Sequence, residues 1–304
     1  MRDLKGKVGV VTGGAGGIGK AIGVAMLAED MKVVLADVLD EQLQEAVQEI
    51  GSDNLIGIAS DVTSYESMCA LREKTIETFG AVHVICNNAG VGSGAKGNMW
   101  EHHNNDWKWS IDVNVLGIVN GINAFVPTLV AQDEGHVVNT SSGNGGFTPL
   151  ANSAIYAVTK AAVTCITECL WGQLHQIDSN VGVSTLYPST KTPGVLATGI
   201  WNAGANRPDR YSRGDDPTEP ARRDALAEYI ARAKEAGQEV QIAPLSEVAD
   251  LCVNGIRNDN FWATYPSERQ ADLLHARVES QINQTPPDYL LGVNLMTRPA
   301  AKPT

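Results

Sequence analysis

The sequence predicts an α/β protein built on a doubly wound parallel sheet with helices on both faces. Three observations predict it. Short β-branched runs alternate with longer amphipathic stretches over the first two-thirds of the chain. The runs are apolar at nearly every position, as strands buried on both faces require. A glycine-rich turn joins the first run to the helix behind it, and right-handed crossovers between successive runs then build an open, doubly wound sheet.

The elements follow in order. Residues 7–11 read as the first strand, and a helix runs from about 17 to 29. Residues 32–36 form the second strand, and Leu43, Val47 and Ile50 give 40–50 helical spacing. A third strand at 55–59 precedes a helix over 65–79, and 82–86 is the fourth strand. One long helix spans roughly 106–130, the fifth strand 136–140, a further helix 154–177 and the sixth strand 181–187. From Pro193 the texture changes. Residues 202–223 are rich in Gly, Pro, Asp and Arg, so about 193–243 reads as a substrate-side insertion or lid. Helices are expected at 224–236, 246–256 and 268–282, with a short strand at 261–265; the tail 286–304 has little periodicity. Without repeats or a clear linker, residues 1–304 read as one domain.

The composition narrows the function. A formal net charge of -12 repels nucleic acid and anionic membranes, so the expected partner is a small molecule. No signal-peptide run opens the chain and no apolar stretch is read as spanning a bilayer, so a cytoplasmic location is expected. The five cysteines lack CxxC spacing and mostly fall in apolar runs; they read as buried free thiols. The neighbours His102 and His103 lack a third ligand cluster, and no metal site is expected.

After the first strand comes Thr12-Gly13-Gly14-Ala15-Gly16-Gly17-Ile18-Gly19. Glycines permit a tight turn and let backbone N–H groups approach a pyrophosphate at a helix N-terminus. Position between strand and helix favours a dinucleotide site on Gly13, Gly17, Ile18 and Gly19 over a purely structural turn. Asp37 closes the second strand, with Val38 behind it. A carboxylate there accepts both adenosine-ribose hydroxyls and repels a 2′-phosphate. No Lys or Arg precedes Lys20 in the loop or follows Asp37 closely, so NAD is expected over NADP. The plain reading of Asp37 is a solvated strand-end carboxylate.

Tyr156-Ala-Val-Thr-Lys160 puts a phenol and an ammonium one turn apart on one helix face. A free phenol titrates near 10, too high for an efficient base at neutral pH, and a neighbouring cation stabilises its ionised form. An incidental Tyr/Lys pair is the competing reading.

With these motifs in hand, the chain resembles the short-chain dehydrogenase/reductase family, closely over residues 5 to about 195. The Thr12-Gly13-x-x-x-Gly17-x-Gly19 spacing is similar to the compact single-domain branch, although Gly16 also permits the spacing of the extended branch. Asn87-Asn88-Ala89-Gly90 decides for the compact branch. The resemblance implies a Rossmann-like sheet, cofactor contacts from Asn88, Ala89 and Gly90, and adenine contacts from Asp61 and Val62. It implies Tyr156 as acid/base, with Lys160 also holding the nicotinamide ribose. Ser142 would polarise the substrate oxygen, with Ser141 as the weaker candidate, and Asn114 would support a water relay to Lys160. Ser142 lies 14 positions before Tyr156, one more than is usual, and Gly143-Asn144-Gly145-Gly146 is available to absorb the extra residue. Near the carboxamide the resemblance places Pro188 and either Thr190 or Thr192, although Ser189 and Lys191 depart from the family pattern.

The expected function is therefore NAD-dependent interconversion of a secondary alcohol and a ketone, on a bulky apolar or aromatic/alicyclic substrate. Phe147 and Trp201 are placed by resemblance near the pocket mouth, while Met99, Trp100, Trp262 and Tyr265 are as readily core. The alternatives are a non-catalytic dinucleotide sensor, disfavoured by Asn114, Ser142, Tyr156 and Lys160 together, and an extended-branch epimerase or dehydratase. The resemblance also implies a homotetramer, for which Leu170, Trp171 and Leu174 suit either an interface or an internal core.

Overall fold

Strand periodicity sorts the side chains of the sheet onto two faces. Val11, Val33 and Leu35 point into one core with Ile22 and Met26, while Val10, Val34 and Ala36 point into the other with Met68, Phe125 and Leu129. Both cores belong to a computed structural model that describes residues 1–95, 97–214, 225–265 and 267–291. Its seven strands are β1 (Val8–Thr12), β2 (Lys32–Asp37), β3 (Leu55–Ala59), β4 (Val84–Asn87), β5 (Gly135–Thr140), β6 (Val181–Leu186) and β7 (Trp262–Ala263). They pair in the order β3-β2-β1-β4-β5-β6-β7, every pairing parallel. The sheet is doubly wound, as expected. Its direction of growth reverses between β1 and β4, which opens a crevice at the carboxyl ends of those strands.

Helices Gly17–Ala28 and Leu245–Asn258 cover the first core through Ile22, Met26, Val248 and Ile256. Helices Tyr65–Phe79, Gly117–Ala131 and Ala154–Gln176 cover the second. The helix expected over 106–130 is interrupted: Asn104–Ile111 and Gly117–Ala131 flank a π-helical turn at Asp112–Leu116. Such turns widen the helix locally and frequently mark functional positions, and this one carries Asn114.

Three expectations need correction. Asn104–Ala131 and Ala151–Gln176 are long and apolar enough to cross a bilayer by length and hydropathy, although Phe125, Leu129, Leu170 and Leu174 place much of that apolar surface on the sheet. Trp171, between Leu170 and Leu174, faces outward. Cys86 and Cys252 are buried, but Cys165 and Cys169 are exposed one turn apart on the outer side of Ala154–Gln176. The last strand is only two residues long.

The insertion is closed at its base. Val195 N–H donates to Gln241 O at 2.9 Å, and Ala243 N–H donates to Val195 O at 3.0 Å. Within it lie 3-10 turns at Gly199–Asn206 and Asp209–Tyr211 and a helix at Ala225–Glu235. Its residues 215–224, and residues 292–304 of the tail, fall outside the described residues.

Candidate active site

The crevice holds a cleft of about 390 Å³. Gly13, Gly17, Ile18 and Gly19 line its middle, Asp37, Val38, Asp61 and Val62 one end, and Asn88, Ala89, Gly90, Tyr156, Lys160 and Pro188 the other. The glycine turn is a cradle that side chains would fill. Gly13 has φ +70°, and a Cβ on Gly19 would lie 2.1 Å from Gly13 O. Gly16, at the N-cap of Gly17–Ala28, offers no side-chain cap, and no acidic residue occupies the first turn. The first N–H groups of that helix are thus left for an anion in the cleft. These residues fit a dinucleotide pyrophosphate.

Asp37 is oriented by the turn itself, its carboxylate accepting from Ala15 N–H and Leu39 N–H, both at 3.1 Å. On the other side Thr12 ties β1 to the segment after β4: its Oγ1 accepts from Asn88 N–H and Ala89 N–H, both at 3.0 Å. The Asn88 amide donates to Thr12 O at 3.0 Å, and Thr140 Oγ1 donates to Asn88 Oδ1 at 3.3 Å. The Asn-Asn-Ala-Gly segment thereby braces the sheet at its switch point.

Tyr156 and Lys160 share one face of Ala154–Gln176 and both line the cleft, with Lys160 Nζ 5.5 Å from the centre of the phenol ring. Lys160 is buried, and Nζ donates to Thr140 O at 2.8 Å. Burial brings its ammonium down to about 8. Burial likewise pushes the Tyr156 phenol up to about 12, outweighing the opposing hydrogen bond with the Ser142 side chain. Low polarity thus favours the neutral form of each group.

The two serines have different surroundings. Ser141 Oγ donates to Lys160 O at 2.8 Å and shares a 2.9 Å bond with Thr164, so it ties β5 to the helix. Ser142 is the one joined to Tyr156. The turn at Gly143–Gly146 brings them together despite the additional residue. Gly145 sits at φ +100°, where a Cβ would meet Ala157 O at 2.2 Å. Asn144 Oδ1 accepts from Leu150 N–H at 2.8 Å and closes the loop.

Asn114 lies behind the cleft rather than in its wall. Its Oδ1 accepts from Val91 N–H at 2.8 Å, and its Nδ2 donates to Val91 O at 2.9 Å and to Thr159 Oγ1 at 3.1 Å. It clamps the segment that follows Gly90 against the Tyr156–Lys160 helix. Thr190 and Thr192 are not in the cleft lining. Thr192, with Lys191, is held by Glu247 through its backbone N–H and hydroxyl, and Thr198 lines the cleft instead. Phe147 packs on Tyr187, ring centres 4.6 Å apart, and Trp201 on Tyr229 at 5.5 Å; Trp100 is exposed. His103 caps a helix by accepting from Asn105 N–H at 3.1 Å, and no metal-binding cluster occurs among the described residues.

The sequence reading expected a lid here but named none of the residues that roof the cleft. Thr198, Ile200, Ala203, Pro208, Arg210 and Tyr211 of the insertion line the cleft, together with Trp109. Asp106, fully buried, anchors this segment: it accepts from Arg213 Nε at 3.0 Å and Nη2 at 2.7 Å, and from Arg207 Nη2 at 2.7 Å. Arg207 also donates to Ser93 O at 2.6 Å and stacks over Trp109, 4.7 Å from the ring centre. Tyr211 donates to Asp112 at 2.7 Å. Only the Arg and Asp content of the insertion hinted at such pairing.

Comparison with known proteins agrees with this geometry. The family model for short chain dehydrogenase matches residues 7–202. An uncharacterized oxidoreductase of Staphylococcus aureus is 34% identical over 210 residues, covering 69% of this chain and 86% of its own. A short-chain dehydrogenase/reductase from Burkholderia phymatum, solved in complex with NAD, superposes with a TM-score of 0.81 at 33% identity, covering 99% of this chain and 100% of its own. A metagenomic short-chain oxidoreductase in complex with NADP has a TM-score of 0.56 at 30% identity, covering 62% and 84% of the two chains.

Proposed function

The chain belongs to the short-chain dehydrogenase/reductase family, an oxidoreductase with a nicotinamide-dinucleotide fold, and from that premise we propose that it interconverts a secondary alcohol and a ketone with NAD. One observation carries the reading: Tyr156 and Lys160 stand together at one end of a cleft whose middle is a glycine cradle, and Ser142, outside the lining itself, is hydrogen-bonded to Tyr156.

Gly13, Gly17, Ile18 and Gly19 would hold the pyrophosphate, Asp37 the adenosine ribose, and Lys160 the nicotinamide ribose. When bound, the nicotinamide supplies the site that takes or gives the hydride. Tyr156 accepts the hydroxyl proton during oxidation and returns it during reduction. A phenol held near 12 needs a cation to ionise at neutral pH, and the Lys160 ammonium, near 8, is still mostly charged at pH 7. At 5.5 Å in a dry wall its field is far stronger than in water. Ser142 holds the substrate oxygen against the phenol. Asn114 acts by positioning, since it touches Val91 and Thr159 and neither reacting group.

The Asp37 carboxylate supports NAD over NADP, because a 2′-phosphate beside it meets like charge. The apolar roof of Ile200, Ala203 and Trp109 supports a bulky apolar or aromatic alcohol. Outward-facing Leu116, Val158 and Trp171 support assembly through the two long helices, as a tetramer. The test is a panel of secondary alcohols followed by NADH absorbance, with NADP in parallel. Turnover by wild type with NAD, and none by Tyr156→Phe, is expected. Wild-type protein that binds NADH without turning over any alcohol or ketone would return the sensor reading.

A further inference from the structure

Between Ser142 and Phe147 the chain runs Gly143-Asn144-Gly145-Gly146, three glycines in four residues. Glycine keeps more backbone freedom than any other residue, so a turn of this composition does not hold one shape unaided. Its own bonds are short-range: Gly146 N–H donates to Ser142 O at 3.0 Å, and Phe147 N–H and Thr148 N–H donate to Gly143 O at 3.2 and 3.3 Å. Against it lies the buried Tyr187, whose ring a Cβ on Gly146 would meet at 2.5 Å. That contact is apolar and has no direction. It supports the turn without fixing where the turn ends.

The directed bond comes from the helix Glu268–Ile282. Arg277 Nη1 donates to Phe147 O at 2.7 Å, across 130 residues of chain. Two turns earlier on the same face, Gln270 Oε1 accepts from Ser267 N–H at 3.0 Å. Its Nε2 is left 3.2 Å from where a Cβ on Gly143 would stand. The helix thus meets both ends of the glycine run. It adds little to the packing of the sheet: none of its residues is fully buried, and none belongs to either core. It also lies beyond residues 7–202, the part that matches the family model.

We propose that Arg277 is a positioning residue for the reaction: through Phe147 O it fixes the far end of the Gly143–Gly146 turn and so holds Ser142 against Tyr156. The proposal rests on the alcohol–ketone reading above, in which Ser142 holds the substrate oxygen. Phe147 directly follows the last glycine, so the turn becomes a short arc between two anchors, β5 and the guanidinium. Without the second anchor the glycines let the hydroxyl move off the phenol, and a small misplacement of a reacting group costs rate. Arg277 donates to a backbone oxygen and to no reacting group, so it acts through Ser142.

The test combines amide hydrogen exchange with single-turnover kinetics on the full chain, using NAD and the secondary alcohol of the panel that wild type oxidises fastest. Arg277→Met keeps the aliphatic stem and removes the donor. It is expected to speed exchange at Gly145–Thr148 about tenfold and to lower the rate of hydride transfer about tenfold, the size of one charged hydrogen bond. NADH affinity and exchange in β1 and β5 should not change. Arg277→Lys can still make the single bond and should stay within about threefold of wild type. In a Ser142→Ala background Arg277→Met should cost nothing further, because no hydroxyl remains to be positioned. A full tenfold loss in that background overturns the proposal, since Arg277 would then act on the substrate directly. So does wild-type exchange in Arg277→Met, or a loss as large in Arg277→Lys. Wild-type protein that turns over no alcohol or ketone removes the catalytic reading and this inference with it, whereas unchanged exchange in an active Arg277→Met removes this inference alone.

Discussion

Asp106→Asn tests how the roof is held. The carboxylate lies at zero exposure beneath two guanidiniums whose side chains are only 5% and 4% exposed, so the three charges share one desolvated site. Removing the negative member of a buried ion pair costs about 3–5 kcal/mol, because the remaining charge keeps its desolvation penalty and loses its partner. Arg207 retains Ser93 O and the Trp109 ring, which places the expectation toward the lower end. The roof is an insertion closed at Val195 and Ala243, so it can undock without unfolding the sheet. The cost therefore appears as local opening. A change of about 3–5 kcal/mol raises the open population by roughly two to four orders of magnitude. Amide hydrogen exchange across residues 199–213 should accelerate by that factor, while β1, β4 and β5 keep wild-type protection. Asp209→Asn, exposed in the same segment, is the control. Acceleration below threefold in Asp106→Asn, or equal acceleration in the control, would refute the argument that this buried triad anchors the roof.

Four further outcomes follow from the same structure. Tyr156→Phe should lose at least about a thousandfold in turnover, within the range of general acid–base catalysis, while NADH affinity by fluorescence stays within a few-fold of wild type. Lys160 holds its proton less tightly folded, near 8, than unfolded, near 10.5. The unfolded chain thus binds more protons between those values, and wild-type stability should rise across that window relative to Lys160→Met, by about 3 kcal/mol in denaturant titrations at pH 7 and pH 11. Gly145→Ala places a Cβ 2.2 Å from Ala157 O and should lower kcat by displacing the Ser142 turn, with NADH affinity retained. Cys165 and Cys169 should react with a thiol reagent in the native protein, whereas Cys86 and Cys252 should react only after denaturation.

Most of the sheet was legible because its signals are local. The helices at Asp40–Ile50, Tyr65–Phe79 and Glu268–Ile282 have the bounds that periodicity predicts. Gly51 and Gly80, both at positive φ, end the first two of these. The π turn at Asp112–Leu116 was not legible: its residues continue an apolar helical pattern, and only the clamp of Asn114 on Val91 and Thr159 marks the site. Exposure of Cys165 and Cys169 was misjudged for a related reason. The helix that carries them is apolar on much of its outer side as well as its inner one, so composition does not say which side faces the sheet.

The amino-acid sequence alone settled the fold class, the glycine cradle and the pairing of Tyr156 with Lys160, because each depends on residues within a turn or two of one another and on periods of two and 3.6. Tertiary structure alone decided which of Ser141 and Ser142 meets the phenol, that Thr198 rather than Thr190 or Thr192 lines the cleft, and that a roof hangs from Asp106. Arg207 and Arg213 reach Asp106 across 101 and 107 residues of chain. A contact at that separation has no period to betray it; it exists only once the sheet has brought the carboxyl ends of its strands together and burial has made an unpaired charge too costly to keep.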